Sequence, residues 1–191
     1  MEYIVEKIGM SRTITVPAKP VTLLRVLDAK VCEVNDGKAL VAYPNGKKMN
    51  KAIEGQQKKF NLSSEFNRFV TLDVANAEAG DLDLAPLAEA TTLKSTFTTK
   101  GRGFQGGMKR WNFGGGPAEH GHRFGRRIGS IGNAEWPGRV MKGKKMPGQY
   151  GNTQNSVKNE IVSYDAENKI IAVLGSVSGA NGTLGRVKVV K

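Results

Sequence analysis

The amino-acid sequence predicts a mainly β protein, a small barrel or sandwich, interrupted by a long irregular basic extension inserted between strands. Three observations predict it. Short stretches in which apolar and polar residues alternate, bounded by turn residues, occupy both ends of the chain. Helical crossovers of the kind a parallel sheet needs are missing. The middle of the chain, from Lys100 to Asn152, shows no run with the period of a packed helix or strand, yet it holds 15 of the 24 glycines. At 191 residues the chain is long enough for one well-buried core with material left over.

Taken in order, Val21 to Val34 alternates through its second half. Asn35-Asp36-Gly37-Lys38 then supplies a turn, and Ala39 to Tyr43 reads as the returning strand of a hairpin. A helix is expected around Lys51 to Phe60, with Gly55 opposing it. Phe69 to Val74 and Leu93 to Thr98 read as strands, with a short helix from Leu84 to Ala90 after Asp83. Beyond the glycine-rich window, Glu160 to Tyr164 and Lys169 to Leu174 flank the turn Asp165-Ala166-Glu167-Asn168, a second hairpin, and Leu184 to Val190 alternates again. Strands on both sides of the window make the β body discontinuous. It comprises residues 1–98 and 153–191, with 99–152 as the extension.

Several classes are excluded. The longest apolar runs, such as Ile170 to Gly175, fall far short of the ~20 residues of a membrane helix. The N-terminus MEYIVEKIGM lacks a signal pattern, so a soluble, non-exported protein is expected. The single Cys32 rules out a disulfide framework and reads as a small buried residue in a strand. Gly101-Arg102-Gly103-Phe104-Gln105-Gly106 matches a dinucleotide fingerprint, but Met108 to Gly116 runs into a glycine triplet and is not expected to make the helix that the motif requires. Gly138 to Lys145 resembles a phosphate loop with Lys145 where a magnesium-holding hydroxyl belongs. His120 and His122 have neither a cysteine nor a third ligand nearby, so no metal is expected, and their rings are read as donors that stack or hydrogen-bond. Nothing specifies an enzyme, a cofactor or a small-molecule substrate.

The window itself is informative. Eleven basic residues stand against Glu119 and Glu135, a surplus of nine out of the chain's net +12. Phe104, Trp111, Phe113, Phe124, Trp136 and Tyr150 are interleaved with them. Cations neutralise phosphates, aromatic faces stack on unpaired bases, and glycines let the backbone approach closely. Such a segment, self-repelling when alone, is ordered by a nucleic-acid partner. No zinc finger, basic zipper or groove-reading helix is present, so folded RNA is the expected partner rather than duplex DNA. The candidate RNA-binding residues are Lys100, Arg102, Phe104, Lys109, Arg110, Trp111, His120, His122, Arg123, Arg126, Arg127, Trp136, Arg139, Lys142, Lys144 and Lys145.

The run Thr98-Thr99-Lys100-Gly101-Arg102-Gly103-Phe104-Gln105-Gly106-Gly107-Met108-Lys109-Arg110-Trp111 resembles the signature of the universal large-subunit ribosomal protein L three family, bacterial branch. Gly129-Ser130-Ile131-Gly132, Pro137 to Met146 and Gly148-Gln149-Tyr150-Gly151-Asn152 resemble its central extension, and Ile8-Gly9-Met10-Ser11 its opening. The resemblance implies a six-stranded, translation-protein-like β-barrel body bound to the 3′ domain of the large-subunit rRNA. It further implies early assembly of the subunit, a cytoplasmic location within it, and neighbours of the L-fourteen and L-nineteen families. The extension would reach toward the peptidyl-transferase centre with Gly148, Gln149, Tyr150, Gly151 and Asn152 at its tip, Gln149 matching a glutamine that is methylated in some bacteria. Without the resemblance, a free RNA chaperone or single-strand-binding protein is the alternative.

Overall fold

Alternation in the sequence becomes twelve strands and three short helices among the described residues of a computed structural model, which are 1–190 apart from 36, 47, 48 and 77. In chain order they are β1 (Glu2–Arg12), β2 (Pro20–Val26), β3 (Lys30–Asn35), β4 (Lys38–Tyr43), α1 (Lys51–Lys59), β5 (Arg68–Asp73), β6 (Gly80–Asp81), α2 (Ala85–Glu89) and β7 (Thr92–Thr98). There follow β8 (Phe104–Gln105), α3 (Gly107–Trp111), β9 (Gly148–Gln149), β10 (Gln154–Asp165), β11 (Ile170–Leu174) and β12 (Leu184–Val190). The chain divides into two compact units, Met1–Thr98 with Gln154–Lys191, and Thr99–Thr153.

In the first unit, β1, β12, β7, β10, β11 and β2 pair in that order and close on themselves as an antiparallel barrel. Closure satisfies both edges of every strand. Alternate residues point inward: Leu93 and Phe97 from β7, Ile171 and Val173 from β11, Val187 from β12, with Leu87 of α2 joining the same core. Asp83 Oδ1 accepts from the Ala85 amide at 2.9 Å, just ahead of that short helix, which falls where the sequence predicts it. A second sheet, ordered β5-β4-β3-β6, packs its own cluster of Val31, Ala39, Val41 and Leu72 with Ile4 of β1. The strand β1 is therefore buried on both faces, Tyr3 and Val5 toward the barrel and Ile4 toward the second sheet.

Four sequence expectations change here. The run Val21 to Val34 is not one strand: it breaks at residues 27–29, so that β2 belongs to the barrel and β3 to the second sheet. The corner is held by Leu27 donating to Ile4 O at 3.0 Å and Leu82 donating to Ala29 O at 3.2 Å. The predicted hairpin is β3 with β4, and Asp36 in its turn lies outside the described residues. The strands β1 and β6 are additional to the predicted elements, the predicted β3, β4 and β5 form a second sheet instead of joining the barrel, and β10 begins six residues before the expected Glu160. Cys32 is half-buried, and burial pushes its thiol pKa up. The helix α1 forms despite Gly55, because Asn50 Oδ1 caps it by accepting from the Ile53 amide at 2.9 Å.

Candidate nucleic-acid interface

The second unit is closed at its chain ends by a ladder of backbone bonds. Thr99 donates to Thr153 O at 2.9 Å, Asn152 to Thr99 O at 3.2 Å, Arg102 to Tyr150 O at 2.8 Å and Tyr150 to Gly103 O at 2.9 Å. Beyond it β8 pairs with β9, Phe104 opposite Gln149. This corrects the expectation that Gly148 to Asn152 forms the tip. The segment is the returning strand of a neck, because its amides and carbonyls are taken up by residues 99–105. Gly151 is required there: its φ is +73°, and a Cβ would overlap the Lys100 carbonyl. The Arg102 guanidinium lies 5.0 Å from the Tyr150 ring, across the same ladder.

Past the neck the glycine-rich run does make a helix, contrary to expectation, although α3 spans only five residues. Gly107 is buried beneath Ile128 and Phe113, where no larger residue fits; a Cβ would sit 2.8 Å from the Phe113 ring. Asn112 ends the helix in the left-handed region at φ +59°, its amide bonded to Met108 O at 2.9 Å. One turn of helix cannot supply the dipole and amide array of a dinucleotide site. Arg110 Nη1 and Trp111 Nε1 both donate to Met146 O at 2.8 Å, while the Arg110 guanidinium and Lys145 ammonium stand 5.0 Å and 5.8 Å from the Trp111 ring. This clamp ties the start of the loop 112–145 to its end.

Within the loop, Gly116 donates to Gly125 O at 2.8 Å and Lys144 to Met141 O at 3.3 Å. His122 meets Phe124 edge-on at 6.3 Å, and its Nδ1 accepts from the Phe124 amide at 3.2 Å, so that nitrogen is an acceptor and not the expected donor. His120 has φ +61° in a turn, and no group of three or more possible metal ligands occurs among the described residues.

The predicted site residues fall into two sets. Arg102, Arg110, Trp111 and Lys145 take part in contacts inside the unit. Lys100, Lys109, Arg123, Arg126, Arg127, Arg139, Lys142 and Lys144 are exposed or half-exposed, as are His120, His122, Gln149 and Asn152. Phe104 and Trp136 present 75% and 83% of their surface to solvent. Of residues 99–153 only Gly107 is buried, and none of the eleven cations has an ion pair with a described residue. A positively charged surface with exposed aromatic faces, on which Glu119 and Glu135 are the two carboxylates against eleven cations, is chemically matched to phosphates and unpaired bases. The supporting parts escape sequence reasoning: Met146 contributes only a backbone carbonyl, and Phe113 and Ile128 act through the glycine they cover. In the body, a cleft of about 480 Å³ sets Asp28 and Asp81 against Lys30 and Lys169, with Lys169 paired to Asp28. No helix among the described residues is long and apolar enough to cross a membrane.

Residues 87–169 match the family model described as Ribosomal protein L3. The chain is 71% identical over 192 residues to the large ribosomal subunit protein uL3 of Wolinella succinogenes, and 68% identical over 191 residues to that of Campylobacter jejuni, with all of each chain covered. The protein of the same name from Thermosipho melanesiensis is 39% identical, covering 97% of this chain and 96% of its own. All three relatives carry the name of a ribosomal protein rather than an enzyme. With the signature segment inside the matched region and full-length identity this high, the chain belongs to the ribosomal protein L3 family.

Proposed function

We propose that this chain is a structural constituent of the large ribosomal subunit in the cytoplasm, and that residues 99–152 bind the large-subunit rRNA directly. The observation that carries the reading is the set of eleven cations without a described carboxylate partner, in a unit with one buried residue. A surface of that kind is stable only in water or against a polyanion, and the relatives named for the large ribosomal subunit support reading that polyanion as rRNA. Residues 1–98 with 153–191 serve as the body. The family resemblance extends the proposal to the 3′ domain of the rRNA, to early joining of the subunit, to neighbours of the L-fourteen and L-nineteen families, and to an extension directed at the peptidyl-transferase centre. With Gly148 to Asn152 in the neck, the loop 112–145 with Trp136 is the part that leads. Gln149, exposed in β9, stays open to methylation.

Sedimentation of a lysate through a high-salt sucrose gradient tests the reading. One copy per large subunit, retained in salt, is the expected result. A free pool at the top of the gradient would instead favour an RNA chaperone or single-strand-binding protein, which holds its RNA only transiently.

A further inference from the structure

Cross-strand charges in the body follow a rule with one exception. Residues directly opposite in an antiparallel pair share a face with Cβ atoms roughly 5 Å apart, so opposite charges there stabilise and like charges destabilise. Glu2 stands opposite Lys188, Glu6 opposite Arg25, Lys30 opposite Asp81 and Lys38 opposite Asp73, all of opposite sign. Lys94 breaks the pattern on both sides, with Lys158 of β10 on one flank and Lys188 of β12 on the other. Lys188 is neutralised, its Nζ 2.8 Å from Asp73 and 3.7 Å from Glu2. Lys94 and Lys158 are exposed and form no ion pair with a described residue; Glu160, further along the same face of β10, pairs with neither.

The neighbouring positions on this outer face are small and hydrogen-bonding. Thr96 stands opposite Ser156, their hydroxyls 2.8 Å apart, and Thr98 stands opposite Gln154. None of these side chains is apolar, and the exposed Val162 lies at the other end of β10, beyond Glu160. Lysine, hydroxyl and amide groups on one rigid surface are instead the donors that take phosphate and sugar oxygens. We propose that the outer face of β7 and β10, centred on Lys94 and Lys158, is a second RNA-backbone contact, carried by the body and separate from the extension. The lysine pair costs the free body stability through repulsion, and a phosphate lying against each of the two ammonium groups removes that cost on binding. The inference rests on the rRNA-binding reading above and adds a site to it.

Binding of the full-length chain to a transcript of the large-subunit rRNA, measured across a salt series, tests it together with thermal melting of the free protein. With two phosphates no longer neutralised, Lys94→Gln/Lys158→Gln should lower the slope of log K against log salt by about 1.4 to 1.8, which is roughly 25- to 60-fold weaker binding at 0.1 M salt. The same variant, alone in solution, should melt about 1 to 4 °C higher, because the repelling pair is gone. A control with the same charge removed elsewhere on the body, Lys51→Gln/Lys58→Gln on α1, should keep the wild-type slope. A double variant with unchanged slope and affinity overturns the inference, whatever its melting temperature, and so does a control that is weakened as much. Wild-type protein that does not bind the transcript overturns the rRNA-binding reading itself, and this site with it.

Discussion

Lys7 behaves unlike most lysines, being only 6% exposed. Its ammonium donates to Val177 O at 2.7 Å and Gly179 O at 3.1 Å, and its backbone bonds to Thr183 and Gly182, so one residue fixes the loop before β12. Lys7→Met keeps the stem and removes the donors; leaving those carbonyls unpaired should cost about 2–4 kcal/mol, read as a lower urea midpoint. Tyr3 is the complementary case. Burial pushes its pKa up to about 12, its hydroxyl donating to Asp83 O at 3.1 Å. The phenol is neutral when folded, so its contribution is fully present below the unfolded value near pH 10 and is lost as pH rises through about 12. Alkaline unfolding followed by circular dichroism should lose this component in Tyr3→Phe. In the neck, Gly151→Ala meets both a left-handed φ and the Lys100 carbonyl. The left-handed backbone alone costs about 1–2 kcal/mol, and limited proteolysis should then cut residues 99–153 faster while the melting of the body is unchanged.

Among the elements, β1 and α3 show how little length is needed to organise a region. The strand β1 lends Tyr3 and Val5 to one core and Ile4 to the other, which follows from side chains alternating across a strand. The helix α3 is too short to be stable alone, and it is held by what covers Gly107 and by the two donors that converge on Met146 O. Trp111→Phe retains a ring for Arg110 and Lys145 and removes one of those donors. It should cost the clamp about 1 kcal/mol, seen as faster amide exchange in residues 107–112, with exchange in the barrel strands unaltered. On the other unit, Leu87→Ala would open a void in the barrel core from α2 and should destabilise the body by about 2–5 kcal/mol in chemical denaturation.

Across the molecule, charge and burial are distributed in opposite senses. Residues 99–153 hold most of the net charge and one buried residue, whereas the body holds both apolar clusters. Association and folding should therefore respond to different substitutions. Neutralising Arg126, Arg127, Lys144 and Lys145 together should reduce the salt slope of rRNA binding by about 0.7 to 0.9 for each phosphate that goes unneutralised, and leave the melting temperature of the free protein where it was. An unchanged slope would mean that these four side chains face solvent in the complex.

Local features were legible in the residue order: the β3–β4 and β10–β11 hairpins are set by short turns, α1 falls in the stretch Lys51 to Phe60 where a helix is expected, and the basic surface is set by the side chains themselves. The strand β1, the second sheet and the neck were not, because each depends on pairing far apart in the chain. Glu2 finds Lys188, and Thr99 finds Thr153, through contacts that no window of sequence contains. The same holds within the candidate interface. Composition names every cation and aromatic, but whether Arg110 and Trp111 reach toward RNA or hold the Met146 carbonyl is decided only when the loop 112–145 closes. Charge and residue type belong to the single residue and survive in the unfolded chain; register, burial and the partner of each donor exist only after distant segments meet, and tertiary structure alone assigns them.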